Sequence, residues 1–293
     1  GNIGMIYGEL GDIDQALKFH KRALEIDLKI GYAKGQAISF CNIGLVYIDL
    51  GEFEKGLNYL FYALEIDKKI GHLKGQAWEL NNIGLVHREL NELDKAMKCL
   101  EDALKINIKI GNIQGQASIL DDQGMIYRDL GETDKAIELH MTALDIYQKT
   151  GYLKGQSVAL GNIGIVYKVL GDLDLALNHH KKALAIGQRI GYRQGQAVQL
   201  GNMGSVYQIS GRFGQAVKTF QNALEIYQSI GCLKGQGDQL EQIGLVLKKI
   251  GEYEQALKYV KNAFDIFDKI GMKIKAESTR MTMMELNSIL NPM

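Results

Sequence analysis

The sequence predicts an all-α solenoid of antiparallel helix pairs, and three observations carry that expectation. A 40-residue unit recurs seven times, with the first copy truncated by the start of the chain. Ala37 to Gln76 (AISFCNIGLVYIDLGEFEKGLNYLFYALEIDKKIGHLKGQ) is followed by Ala77 to Gln116 (AWELNNIGLVHRELNELDKAMKCLEDALKINIKIGNIQGQ), and the same slots return at 117, 157, 197 and 237. Within each unit, apolar and small residues fall at spacings of three, four and seven, one stripe on each of two helices. No strand pattern accompanies them. Units of this length bury their apolar faces only by stacking on their neighbours.

Each element of the unit has its own signal. The first helix carries Ala37, Phe40, Ile43, Gly44, Tyr47 and Leu50 on one stripe, and the second carries Phe53, Gly56, Leu57, Leu60, Ala63, Leu64 and Ile70. Between them stands Gly51-Glu52, repeated as Gly131-Glu132, Gly171-Asp172 and Gly251-Glu252. Glycine ends one helix, and the acid opens the next beside its positive dipole end. The turn is short, so the two helices run antiparallel. The second helix ends at Ile-Gly, as at Ile30-Gly31, Ile70-Gly71, Ile190-Gly191 and Ile230-Gly231, and a new first helix starts about two residues later.

Gly4, Gly44, Gly84, Gly124, Gly164, Gly204 and Gly244 share one slot inside the first helix, although glycine there costs about 1 kcal/mol relative to alanine. Close approach of the partner helix accounts for them. Ala16, Gly56, Ala96, Ala136, Ala176, Ala216 and Ala256 offer the matching small surface. After Ala276 the pattern decays: Arg280, Met283, Met284 and Asn287 stand where the bulky, Ile, Gly and Tyr slots belong. This divides the chain into a solenoid over residues 1-276 and a degenerate capping helix over 277-293, since a terminal repeat needs a less apolar outer face.

Composition narrows the function classes. Hydrophobic residues make up 46% and charged residues 23%, enough apolar surface for an ordered fold. Thirty-four basic residues balance thirty-four acidic ones, and no Lys/Arg run tracks a phosphate backbone, which argues against nucleic acid. Cys41, Cys99 and Cys232 fall in three different slots without pairing symmetry, as expected of a reducing, cytoplasmic setting. No apolar run reaches the roughly 20 residues of a membrane span. The opening GNIGMIYGELGD already belongs to a repeat, which predicts a piece of something longer.

At the slots held by Phe40, Ile43, Gly44, Tyr47, Gly56, Leu60 and Ala63, the chain resembles the tetratricopeptide repeat family. Its 40-residue units are similar to those of Pins/LGN-type spindle-orientation adaptors and of microbial tetratricopeptide sensor proteins. Lys68 and its equivalents replace the family's proline, and six further residues (IGHLKG in one copy) should lengthen both helices. The resemblance implies a right-handed superhelix whose first helices line a concave groove for a protein or peptide ligand, extended or helical. It also implies that Asn42, Asn82, Asp122, Asn162 and Asn202, with Asn2 and Gln242 in the same slot, face that groove. An amide row could hold a peptide backbone through its paired donor and acceptor; the alternative is that each amide bonds a neighbouring helix and sets repeat geometry.

Slots that differ between copies are better guides to specificity, because a ligand is not periodic. Arg88, Arg128 and Lys168 follow one another at successive repeats and predict a basic stripe, with Glu89 and Asp129 beside it. Leu85, Met125 and Ile165 supply apolar groove contacts, with Val169 and Ile209 further along. Gly161 and Gly201 would leave room for a bulky ligand side chain. The carboxylate clamp of the family, built on early first-helix cations, has no match: those slots hold Ile38, Trp78, Ser118, Val158, Val198 and Asp238.

No nucleophile set, phosphate loop or metal motif appears, so the chain is expected to be neither an enzyme nor a cofactor or metal protein. His20, His140 and His180 occupy the slot filled elsewhere by Leu60, Leu100, Phe220 and Val260 and are expected to pack in the core with one wet edge; neighbouring copies about 10 Å apart would not bring them onto one metal ion. An interaction scaffold is therefore the leading function. A sensor arm whose effector domain lies outside this chain is the alternative, and RNA binding by helical repeats the third.

Overall fold

A computed structural model describes residues 2–9 and 12–291. Among them are fifteen helices and no strand. In chain order they pair as α1 (Asn2–Glu9) with α2 (Ile13–Lys29), α3 (Ala33–Asp49) with α4 (Phe53–Lys69), α5 (Leu73–Glu89) with α6 (Leu93–Lys109), and α7 (Ile113–Asp129) with α8 (Thr133–Lys149). Then come α9 (Leu153–Leu170) and α10 (Leu173–Arg189) in sequence, followed by the pairs α11 (Arg193–Ile209) with α12 (Phe213–Ser229) and α13 (Leu233–Lys249) with α14 (Tyr253–Lys269). A single helix, α15 (Lys273–Leu290), follows. Two compact units are distinguished, residues 2–8 with 12–166 and residue 9 with 167–291, the boundary falling inside α9.

Each joint between pairs is closed by the main chain. At the end of α4, Gly71 takes φ +68°, a left-handed value open to glycine at little cost. That lets the His72 N–H reach the Asp67 carbonyl (2.9 Å) and the Gly71 N–H reach the Lys68 carbonyl (3.2 Å), satisfying two carbonyls the helix leaves over. Inside the pairs the same role falls to Gly51 and its equivalents. In the third copy it falls to Asn91 at φ 59°, asparagine being a side chain that tolerates this region.

A glutamine adds a second clasp at the joint. Gln36, Gln76, Gln116, Gln156, Gln196 and Gln236 each donate Nε2–H to the main-chain carbonyl nine residues upstream, that of Asp27, Asp67, Asn107, Tyr147, Gly187 and Tyr227 in turn. The bond ties the end of a second helix to the start of the next first helix, and a bond of this kind contributes about 1 kcal/mol.

The acids after the inner turns divide into two kinds. Asp12 and Asp172 accept a hydrogen bond from a backbone N–H three residues on, a short side chain capping a helix start. Glu52, Glu92 and Glu132 make no such cap and pair with Lys55, Lys95 and Lys135 one turn later.

The glycine slot of the first helix is a close approach, as its sequence implied. A Cβ on Gly44 would lie 3.0 Å from the Gly56 carbonyl, and one on Gly204 would lie 2.6 Å from the Phe220 ring. The facing side chains, Leu60, Leu100, Phe220 and Val260 among them, are fully buried, each such burial contributing roughly 1.5–3 kcal/mol. His20, His140 and His180 stand in the same slot. The wet edge expected of them is absent: His140 and His180 have no exposed surface at all, and the rings of His20 and His140 lie over Gly4 and Gly124. α15 packs on α14, buries Ala276, Thr279 and Leu286, and leaves Ile274, Met281 and Met284 exposed.

Candidate functional site

In the first unit the opening turns of α3, α5, α7 and α9 bound a cleft of about 660 Å³. Its mouth carries Ile38, Trp78, Ser118 and Val158, one repeat slot seen four times, with Lys34, Lys74 and Lys154 one turn earlier. Trp78 is 58% exposed, and Ile38 and Val158 are also open to solvent. The second helices contribute the residues whose carbonyls the glutamines hold: Asp67, Asn107 and Tyr147. Their side chains turn toward the next first helix because it opens with glycine. A Cβ on Gly75 would overlap the Asp67 carboxylate, and one on Gly155 would stand 2.6 Å from the Tyr147 ring.

The floor is acidic and dry. Asp67 is 2% exposed, Glu79 4% and Asp121 3%, with Asp122 beside them. Asp121 is fully engaged: His140 donates Nδ1–H to Oδ1 at 2.5 Å, and Asn162 donates from Nδ2 to Oδ2 at 2.9 Å. Asp67 is half engaged, with Oδ2 3.0 Å from His72 Nδ1. Asp67 Oδ1 and Glu79 Oε2 have no hydrogen-bond partner among the described residues. Burial, and then the neighbouring Asp67, push the Glu79 carboxyl up to about 8. Burial, and then Asp121, push Asp122 up to about 7, against the opposing pull of Asn81 and Arg88. Burial and the nearby Glu79 likewise push the Cys41 thiol up to about 12. An unmet carboxylate in a low-dielectric setting costs several times what it would in water, so this floor favours a positive group.

Of the residues expected to face a groove, the structure places Asp122 on the cleft. Asn42, Asn82 and Asn162 lie half-buried on α3, α5 and α9 outside its lining. Asn82 donates to the Trp78 carbonyl of its own helix at 2.9 Å, while Asn162 holds Asp121. Leu85, Met125 and Ile165 are half-buried one turn further along α5, α7 and α9. Asn202 and Lys168 belong to the second unit.

The basic stripe is largely neutralised where it can be followed. Asp129 Oδ2 lies 2.5 Å from Arg88 Nε, and Asp129 Oδ1 lies 2.6 Å from Arg128 Nη2. The room expected at Gly201 is filled, since a Cβ there would come 3.1 Å from Gln239 Oε1. Sequence reasoning passed over Lys34, Lys74, Asp67 and Glu79. For the two acids the signal was a change of chemistry between copies: Asp67 aligns with Asn107 and Tyr147, and Glu79 with Ser39 and Ile119.

Family comparison agrees with the geometry. The model described as "Tetratricopeptide repeat" matches residues 1–69, 35–109, 73–149, 115–189 and 155–229. No curated protein matches the chain in sequence. Among solved structures, a Rap protein complexed with competence and sporulation factor is similar at TM-score 0.64 and 13% identity, over 99% of this chain and 96% of that one. Aspartyl phosphate phosphatase F from Bacillus subtilis is similar at TM-score 0.61 and 17% identity, over 98% and 77%. BtubC from P. vanneervenii is similar at TM-score 0.58 and 20% identity, over 74% and 92%. These likenesses concern the fold alone.

Proposed function

The chain belongs to the tetratricopeptide repeat family, and from that premise we propose that it is an interaction scaffold which takes a peptide segment of a partner protein into the cleft of its first unit. The observation that carries this reading is the cleft itself: exposed Ile38, Trp78 and Val158 recur at one slot around a cavity of about 660 Å³, inside the range of about 300–1,000 Å³ usual for ligand clefts. Apolar side chains at the mouth supply area, and the polar floor supplies selectivity. Asp122 belongs to the floor. Asn42, Asn82 and Asn162, with Leu85, Met125 and Ile165, would meet a longer segment that extends along the same helices. Arg88 and Arg128 would act at its edge, and Asn202 and Lys168 would make contacts of their own in the second unit.

This reading assigns recognition and no catalytic step. The three thiols are free, as suits action in a reducing, cytoplasmic setting. No helix among the described residues is long and apolar enough to cross a membrane.

Selection of a random heptapeptide library on the whole chain tests the proposal. Binders are expected to lose affinity at least tenfold on Trp78→Ala, the usual weight of an aromatic anchor. Binders indifferent to Trp78→Ala would remove the cleft from the proposal.

A further inference from the structure

We propose that the floor of this cleft receives a guanidinium group, so that the segment it selects carries an arginine. The inference rests on the peptide-binding reading of the same cleft and names what that reading leaves open. Asp67 and Glu79 line the cavity on side chains 2% and 4% exposed, and neither Asp67 Oδ1 nor Glu79 Oε2 meets an N–H or hydroxyl donor among the described residues, so that with the cleft empty the pair is left to share the proton that Glu79 retains. They come from different helices, α4 and α5, and their carboxyl groups stand close enough to disturb each other.

A guanidinium would replace that proton and answer both oxygens at once. A guanidinium offers five N–H donors in one plane with a permanent positive charge, and it is less strongly hydrated than an ammonium, so it gives up water more readily. Among the described residues no three His, Cys, Asp or Glu groups are placed to hold a metal ion.

The lysines at the mouth do not oppose this. Lys34 and Lys74 are exposed, where water screens them, whereas the floor carboxylates act at short range through a low dielectric. The exposed indole of Trp78 stands on the path inward, and its face suits the stem and the charge of an arginine. The lysines instead favour a segment with acidic or carboxyl-terminal charge flanking the buried arginine.

The test starts from the heptapeptides selected on the whole chain, each resynthesised with citrulline, the neutral isostere, in place of arginine, and titrated by fluorescence anisotropy against wild type, Glu79→Gln and Asp67→Asn. Arginine is expected in the selected set. Citrulline should weaken binding to wild type roughly tenfold to a hundredfold, the usual effect of losing a buried charge-assisted hydrogen bond. Either floor variant should shrink the arginine-over-citrulline preference while Trp78→Ala weakens both peptides alike.

Selected peptides without a basic residue, or equal affinity of arginine and citrulline forms for wild type, would overturn the inference and leave the cleft as a peptide site. A preference undiminished in both floor variants would overturn it as well, by placing the arginine elsewhere. No binders at all, or binders indifferent to Trp78→Ala, would remove the peptide reading and this inference with it.

Discussion

Replacing Glu79 by glutamine should stabilise the first unit near neutral pH. In the folded chain the Glu79 carboxyl is pushed up to about 8 from an ordinary value of 4.5. The folded state therefore keeps a proton over a range in which the unfolded state has lost it. Stability from this group is complete below about 4.5 and drains away as pH climbs through about 8. At pH 7 the loss spans about 2.5 pH units at 1.36 kcal/mol each, or ~3 kcal/mol, an upper bound because water entering the cleft screens the charge.

Glutamine keeps the shape and carries no charge, so the variant should gain on wild type as pH rises. The groups that bear on Glu79 are Asp67 from α4 and Cys41 from α3; their repulsion with Glu79 is removed together with its charge, so the difference reports burial and that repulsion combined. Urea unfolding followed by far-UV circular dichroism between about pH 5 and pH 8 reads that difference directly. Parallel stability profiles for wild type and variant across this range would refute the reasoning, since they would mean that Glu79 ionises freely in the fold.

Gly75→Ala should cost about 1–3 kcal/mol in the same unfolding experiment, because the added methyl overlaps the Asp67 carboxylate; an unchanged midpoint would show that this carboxylate moves aside at no cost. Asn162→Ala should lower stability by about 1–3 kcal/mol by releasing one oxygen of the buried Asp121, whereas Asn82→Ala, which loses a bond to its own helix, should stay within about 0.5 kcal/mol. Equal effects of the two would make the amide row uniform after all. Arg128→Glu should change the association rate of a selected peptide by less than about tenfold, the low end of electrostatic steering, because Asp129 already offsets Arg88 and Arg128. A larger drop that fades in salt would restore the arginines as a steering stripe.

The fold was legible because repetition multiplies weak signals. One glycine inside a helix says little, but the same slot filled seven times says that a partner helix is near, and the Gly44 and Gly204 geometries agree, through the Gly56 carbonyl in one and the Phe220 ring in the other. Joints were legible for the same reason. The glutamine clasp was visible as a recurring Gly-Gln pair, yet its partner is a main-chain carbonyl, which no side-chain pattern can announce.

The site was harder to read because its chemistry sits where the copies disagree. Asp67 and Glu79 stand at slots occupied elsewhere by tyrosine, asparagine, serine or isoleucine, and only stacking shows that two such slots in adjacent helices converge. The uniform amide row divided along similar lines: Asn82 turned to its own helix, while Asn162 turned to Asp121, a residue peculiar to one copy. His140 shows the limit most plainly. Its slot reads as packing, and it packs, but it also holds Asp121, which only its neighbours could disclose.

The glutamine clasp has a further consequence. It binds a carbonyl, which every amino acid possesses, so the joint is indifferent to the side chain at the position it grips: aspartate, asparagine, tyrosine and glycine all occur there. Fastening and cargo chemistry are thereby separated onto the two halves of one residue. Neighbouring copies of this unit should behave as interchangeable cartridges, in which an acidic pocket can be written across a new joint, or erased from an old one, by changing one side chain in each of two adjacent copies while the hinge pins stay in place.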